Sequence, residues 1–315
     1  MGFENLELIT LQQYWWIIIS LLGGLFVFIM FVQGGQTLID KLSENETEKT
    51  MLINSIGRKW ELGFTTLVLF GGALFAAFPL FYATSFGGAY WVWLSILFCF
   101  IIQAVSYEFR TKPNNFLGQK TYELFLKING NIGTFLLGVA ISTFFSGSEF
   151  IVDSNNFVDW KNSLRGLEAL LNPYNYLLGF ALVFLAKISG ALYFINNINH
   201  EKIKTKAINS IKINMILFLF LFLGFMFWIL TKDGFAINNE GFVYIKEYKY
   251  FYNLLEMPIV LAIFLIGVLM VIIAVFITIT FKKTCCIKTA GMGIVLTVMA
   301  VLLNVGLNNT AYYPS

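Results

Sequence analysis

The chain has 315 residues, 58% of them hydrophobic and 17% aromatic, and only 12% are charged. Soluble domains carry about 25% charged residues, so this balance, with a mean hydropathy of +0.74, excludes a water-soluble globule and identifies a polytopic protein of the lipid bilayer. The net charge of +3 matters less than how that charge is distributed, and no nucleic-acid partner is expected.

Eight apolar segments read as spans follow one another, the fourth of them short and Gly-rich at its start. Crossing the hydrocarbon core takes about 20 residues at about 1.5 Å each. A short interfacial lead-in over 3–13 precedes a first span over 15–38, with Gln33 and Gln36 on one face near its end. The polar loop over 40–59 has capping-box spacing at Ser43 and Glu46, which predicts a short surface helix. The second span, 62–82, is uncharged and starts just after Trp60 and Glu61. Gly71 and Gly72 make room for a close helix neighbour, and Pro79 predicts a kink near the far end. A tight turn over 85–88 leads into the third span, 90–107, and a polar loop over 108–129. The remaining spans are read at 131–145, 176–195, 213–230, 258–281 and 289–307. Lys187 lies near the middle of the fifth, and His200 lies in the basic loop after it.

The first, third, fifth and seventh loops hold fifteen Lys and Arg residues against five on the opposite side. The positive-inside rule places those odd loops in the cytoplasm and both termini outside. Gln33 and Gln36, Glu61, and the group Gln103, Tyr107, Glu108 and Arg110 then share one depth at the inner ends of three consecutive helices. Polar groups at membrane depth mark ion or proton routes. Headgroup anchoring is the competing account for Glu108 and Arg110, and a local ion pair with Arg58 the competing account for Glu61.

Cys99, Cys285 and Cys286 are expected to be reduced, since adjacent cysteines rarely bridge each other. His200 is expected to be a solvated loop residue. A single histidine provides no bis-histidine haem site, and no metal-ligand spacing, phosphate loop or nucleophile elbow is present. The acidic N-terminus and the long first apolar run predict no cleavable signal.

Several motifs are more specific. They are Asn54-Ser55-Ile56, Trp60-Glu61, the run GGALFAAFPLFYATSFGGAY from Gly71 to Tyr90, and Tyr107-Glu108-Phe109-Arg110-Thr111-Lys112. Gly138-Val139-Ala140 with Gly147 and Phe150, and the closing AYYPS, complete the set. In order and over nearly the whole chain, the sequence resembles subunit II, the smaller non-haem subunit, of the cytochrome bd quinol oxidases.

The resemblance implies an all-α membrane protein of two four-helix bundles, read here as 1–150 and 151–315, with eight of the family's nine helices in this sequence. It implies a bacterial inner-membrane complex that oxidises quinol and reduces oxygen to water with cytoplasmic protons. The partner is a haem-bearing subunit I holding two b-type haems and haem d, with room for small accessory membrane subunits. No cofactor is expected on this chain, although a structural quinone is compatible with it. The resemblance puts Glu61 on a proton route. Gln33 and Gln36 occupy the places of two acids in the first helix, where they cannot titrate, and Glu108 belongs to the same inner group. Trp60, Gly71, Gly72, Pro79 and Arg110 carry the family motif. A small-solute or ion transporter, with Glu61 and Lys187 as coupling groups, is the alternative from another class.

Overall fold

The computed structural model describes residues 7–153, 155–238 and 240–311. The last residues of the AYYPS match and the first of the interfacial lead-in lie outside them. Among the described residues, eight helical segments are long and apolar enough to cross a membrane.

The first comprises α1 (Leu8–Ile29) and α2 (Phe31–Leu42), separated by a break at Met30, where ψ is 1°. After α3 (Glu46–Gly57), the second segment is completed by α4 (Trp60–Ala77). The N-cap of α3 lies two residues beyond the predicted one. Asn45 accepts from the Glu48 N–H at 2.9 Å, and the Glu48 carboxylate accepts from the Glu44 N–H at 2.6 Å. Pro79 does more than kink the second span. Phe78 leaves the helix at φ −136° and ψ 66°, because a residue before proline is pushed out of the α region. The chain restarts as α5 (Pro79–Tyr82), whose first position needs no N–H, and continues through a π-helical turn at Ala83–Gly88 in place of the predicted tight turn.

Following α6 (Tyr90–Phe109), the expected 108–129 loop is largely helix. α7 (Gln119–Ile128) buries Tyr122 and Leu126 and passes through a π-helical turn (Asn129–Gly133) into α8 (Thr134–Ser146). Its charged surface hides an amphipathic helix that lengthens the fourth span at its start. The remaining spans are α9 (Pro173–Asn197), α10 (Glu201–Thr231), α12 (Pro258–Phe281) and α13 (Cys286–Gly306), with the short α11 (Lys249–Glu256) before α12. His200 is not a free loop residue: it is the N-cap of α10, its Nδ1 accepting from the Ile203 N–H at 3.4 Å.

Two small antiparallel sheets cap the end opposite the α2–α3 loop. β1 (Phe150–Val152) pairs with β2 (Val158–Trp160). β3 (Gly234–Ile237) lies between β4 (Val243–Lys246) and β5 (Thr310–Ala311). Buried Lys249 of α11 donates to the Asn308 carbonyl at 2.7 Å, tying the cap to the last helix.

Spans one, four, five and eight form the centre. α1 packs along α13, α2 along α9, α8 along α9, and α9 also along α10. Backbones meet where side chains vanish. A β-carbon at Gly34 would stand 1.8 Å from the Ala186 carbonyl oxygen, and one at Gly190 would stand 2.4 Å from the Gly35 nitrogen. The predicted close approach at Gly71-Gly72 is not made by this chain's helices. Gly71 faces the Phe86 ring, and a β-carbon at Gly72 would meet nothing within 4 Å among the described residues. Spans two and three instead expose broad apolar faces that include Val68, Leu69 and Phe75 of α4 and Leu94, Phe98 and Ile101 of α6.

Candidate functional site

The ends of α2, α4 and α6 on the side of the α2–α3 loop do converge, but only part of the predicted group meets there. Gln33 and Gln36 are buried, at 1% and 0% exposure. The Gln36 amide donates to the Tyr107 hydroxyl at 3.1 Å, and the Tyr107 ring stacks on Trp60 with 6.3 Å between centroids and 11° between planes. Gly63 of α4 leaves space for Gln33: a β-carbon there would stand 3.1 Å from Gln33 Nε2.

The polar interior continues through the predicted Gln103 and through two residues that periodicity did not single out, Asn129 and Thr134. Gln103 of α6 and Asn129 and Thr134 at the π-helical turn are fully buried. A β-carbon at Gly133 would stand 3.1 Å from Cys99 and 3.4 Å from Asn129 Nδ2, and one at Gly130 would stand 2.4 Å from the Gln33 carbonyl oxygen. The π-helical turn therefore packs against α2 and α6 together. Both amide atoms of Gln33, Gln103 and Asn129, with Gln36 Oε1 and Thr134 Oγ1, have no hydrogen-bond partner among the described residues. Each such atom left dry would cost about 1–3 kcal/mol, and buried groups of this kind are ordinarily served by ordered water.

Glu61 stands apart from this interior. It is exposed, as are Arg58 and Lys59, and none of the three enters an ion pair among the described residues. The local Glu61–Arg58 pair is absent. Two residues along a helix is more than half a turn, so the face that brings Gly63 to Gln33 turns Glu61 outward. Glu108 is also exposed, paired to Lys112 at 2.6 Å one helical turn on.

Arg110 is drawn inward, at 5% exposure, by a carboxylate absent from the predicted group. Its Nε and Nη2 donate to Glu123 Oε1 of α7 at 3.0 and 2.7 Å. Lys49 bridges Glu123 at 3.0 Å and Asp40 at 3.4 Å, and Lys127 closes on Asp40. One charged network thus links α2, α3, α6 and α7. The exposed Glu44 between α2 and α3 joins Lys206 and Lys202 of α10 at 3.1 and 3.2 Å, and these lysines hold its carboxyl below the usual range.

Lys187 lies half-buried over the Phe184 ring at 5.4 Å and has no acid partner among the described residues. His200 faces buried Glu48 at 3.6 Å through Nε2 while Nδ1 caps α10. An imidazole held this way does not fit as an axial haem ligand. Among the described residues, no three His, Cys, Asp or Glu side chains gather as a metal site. An apolar cavity of about 100 Å³ lies between α9, α10, α12 and α13, lined in part by Leu182, Met215, Phe218 and Val271.

A family model described as cytochrome bd terminal oxidase subunit II matches residues 11–315. The chain is 27% identical over 263 residues to a probable cytochrome oxidase subunit 2 from Haemophilus influenzae, covering 79% of this chain and 68% of that one. It is 27% identical over 233 residues to the cytochrome bd-I ubiquinol oxidase subunit 2 of Escherichia coli, covering 73% of this chain and 60% of that one. Its fold matches a chain in the structure of bd oxidase from Geobacillus thermodenitrificans with a TM-score of 0.68 and 13% identity, covering 94% of this chain and 84% of that one.

Proposed function

As this chain belongs to the cytochrome bd terminal oxidase subunit II family, we propose that it is the non-haem subunit of a membrane quinol oxidase in which two quinols and one oxygen yield two quinones and two waters. The family match over residues 11–315 carries this reading. The haems, held by a subunit I, supply electron transfer and oxygen binding, and this chain supports that subunit and helps deliver protons. The exposed faces of α4 and α6 are the surfaces offered to the partner. The divisions at 1–150 and 151–315 serve as two four-helix units, with small accessory subunits and a structural quinone compatible with them. The complex is assigned to the bacterial inner membrane, with the odd loops in the cytoplasm.

The proton path in this reading has two parts. Glu61, turned outward at the mouth of α4, takes and releases protons at the seam with the partner. Gln36, Tyr107, Gln33, Gln103, Asn129 and Thr134 hold water inside the first four helices. An amide donates through nitrogen and accepts through oxygen, so it orders a water chain without binding a proton itself. The buried amide atoms without protein partners support this part. Glu108, spent on an exposed pair with Lys112, contributes surface charge near the entrance.

The test is spectroscopic. The purified complex should show haem d absorbance and oxidise quinol with oxygen uptake. Stoichiometric haem on this chain purified alone would end the reading. The transporter alternative is not favoured: Glu61 and Lys187 share no contact, and Lys187 has no acid partner to couple with among the described residues.

A further inference from the structure

At the charged end, the last turn of α3, the connection to α4 and the ends of α6 and α9 enclose a cleft of about 800 Å³. Four charged side chains line it, and two are already neutralised: Arg110 by Glu123 at 2.7 Å and Glu108 by Lys112 at 2.6 Å. Arg58 and Lys59 remain, exposed and unpaired among the described residues. The stacked Trp60 and Tyr107 rings form an aromatic wall, and Asn54 and Thr111 add polar groups. Lys59 is the N-cap of α4 and offers no side-chain cap; its carbonyl takes the Leu62 N–H at 3.1 Å, and the Trp60 and Glu61 N–H groups begin the helix beside the same two cations. Basic side chains with a helix N-terminus favour a phosphate.

We propose that this cleft binds the phosphate headgroup of an anionic phospholipid from the leaflet on the charged side of the protein. Its depth argues for a lipid over a soluble anion. Trp60 stands where the apolar run begins, at the level of an interfacial aromatic belt. Leu62 of α4, exposed at 45% and outside the residues named for the partner face, continues from the headgroup level as apolar surface for an acyl chain. Basic pockets between helix ends on the inner side hold acidic headgroups in this manner. Arg58 provides the planar fork and Lys59 the point charge.

The test uses the assembled complex in mild detergent and reads its thermal midpoint during titration with phosphatidylglycerol, phosphatidylcholine or inorganic phosphate. Lipid retained by each preparation is measured by native mass spectrometry. Phosphatidylglycerol should raise the midpoint and stay bound, while the other two should do neither. The double variant Arg58→Gln/Lys59→Gln should need at least about tenfold more phosphatidylglycerol for the same shift, and Arg58→Lys should fall between. Lys282→Gln/Lys283→Gln, on another basic loop, should match the unmodified complex. If the double variant fails to assemble, Lys59→Gln alone should still weaken the response. An undiminished response in Lys59→Gln, or equal protection by phosphatidylcholine, overturns the proposal. Equal protection by phosphate alone would show a soluble-anion site and overturn the lipid assignment. The readout does not involve oxygen uptake, so it succeeds or fails independently of the oxidase reading.

Discussion

At the scale of single residues, Glu61 and the two glutamines differ in chemistry and in place. Only Glu61 can carry a proton, and only the glutamines are deep inside the chain. Glu61→Gln preserves shape and hydrogen bonding, so it should leave haem content intact and lower oxygen uptake per haem d about a hundredfold, the scale of lost acid–base catalysis. Unchanged turnover per haem removes Glu61 from the proton path. Lys187 poses the opposite question, a cation in a span that lies over the Phe184 ring and has no acid partner among the described residues. Lys187→Met should stabilise the complex by about 1–3 kcal/mol, since a charged side chain in a span is costly. A marked loss of stability in denaturant titration would reveal an acid supplied by another chain.

At the scale of elements, the α2–α9 crossing and the charged network around Glu123 and Asp40 hold the first four helices together and to the rest. Gly34→Val adds a branched side chain where even a β-carbon would lie 1.8 Å from the Ala186 oxygen. Overpacking costs about 1–3 kcal/mol when neighbours can yield, and backbone yields least, so membrane yield of this variant should collapse. Gly72→Val, on an open surface of this chain, should be well tolerated unless the partner packs there. Membrane abundance of the two variants compares the sites directly.

The Arg110–Glu123 pair is a second element-scale contact, at 6% and 11% side-chain exposure. Removing either partner leaves a buried charge and should cost about 3–5 kcal/mol. The double substitution Arg110→Met/Glu123→Met should recover most of that loss, which a double-mutant cycle in thermal unfolding would measure. At the opposite cap, burial pushes the Lys249 ammonium below its ordinary value of 10.5. The unfolded chain then binds that proton more tightly, so stability should rise with pH through the alkaline window ending near 10.5. Lys249→Met should flatten that rise in the pH dependence of unfolding.

At the scale of the whole molecule, orientation can be read without adding a reporter. Cys285 is exposed in the seventh loop, while Cys99 and Cys286 are buried. With the odd loops in the cytoplasm, a membrane-impermeant maleimide should leave Cys285 unlabelled in intact cells and label it after permeabilisation. Labelling of intact cells would invert the topology.

The number and order of the spans, their all-helical character and the gathering of Gln33, Gln36, Gln103 and Tyr107 at one depth were legible in the sequence. Hydropathy and helical spacing are local properties, and a bilayer converts them almost directly into position. Several features depended on the tertiary structure. Glu123, Asp40 and Lys49 read as loop charges until α7 folded against α2, α3 and α6 and made them partners of Arg110. His200 read as solvated until α10 extended back to meet it, and Asn129 and Thr134 entered the polar interior only through a π-helical turn. The outward aim of Glu61 likewise follows from which face of α4 meets Gln33. Depth along one helix is set by that helix alone. Facing and pairing are set by the helices beside it, through backbone approach at glycines far apart in the chain.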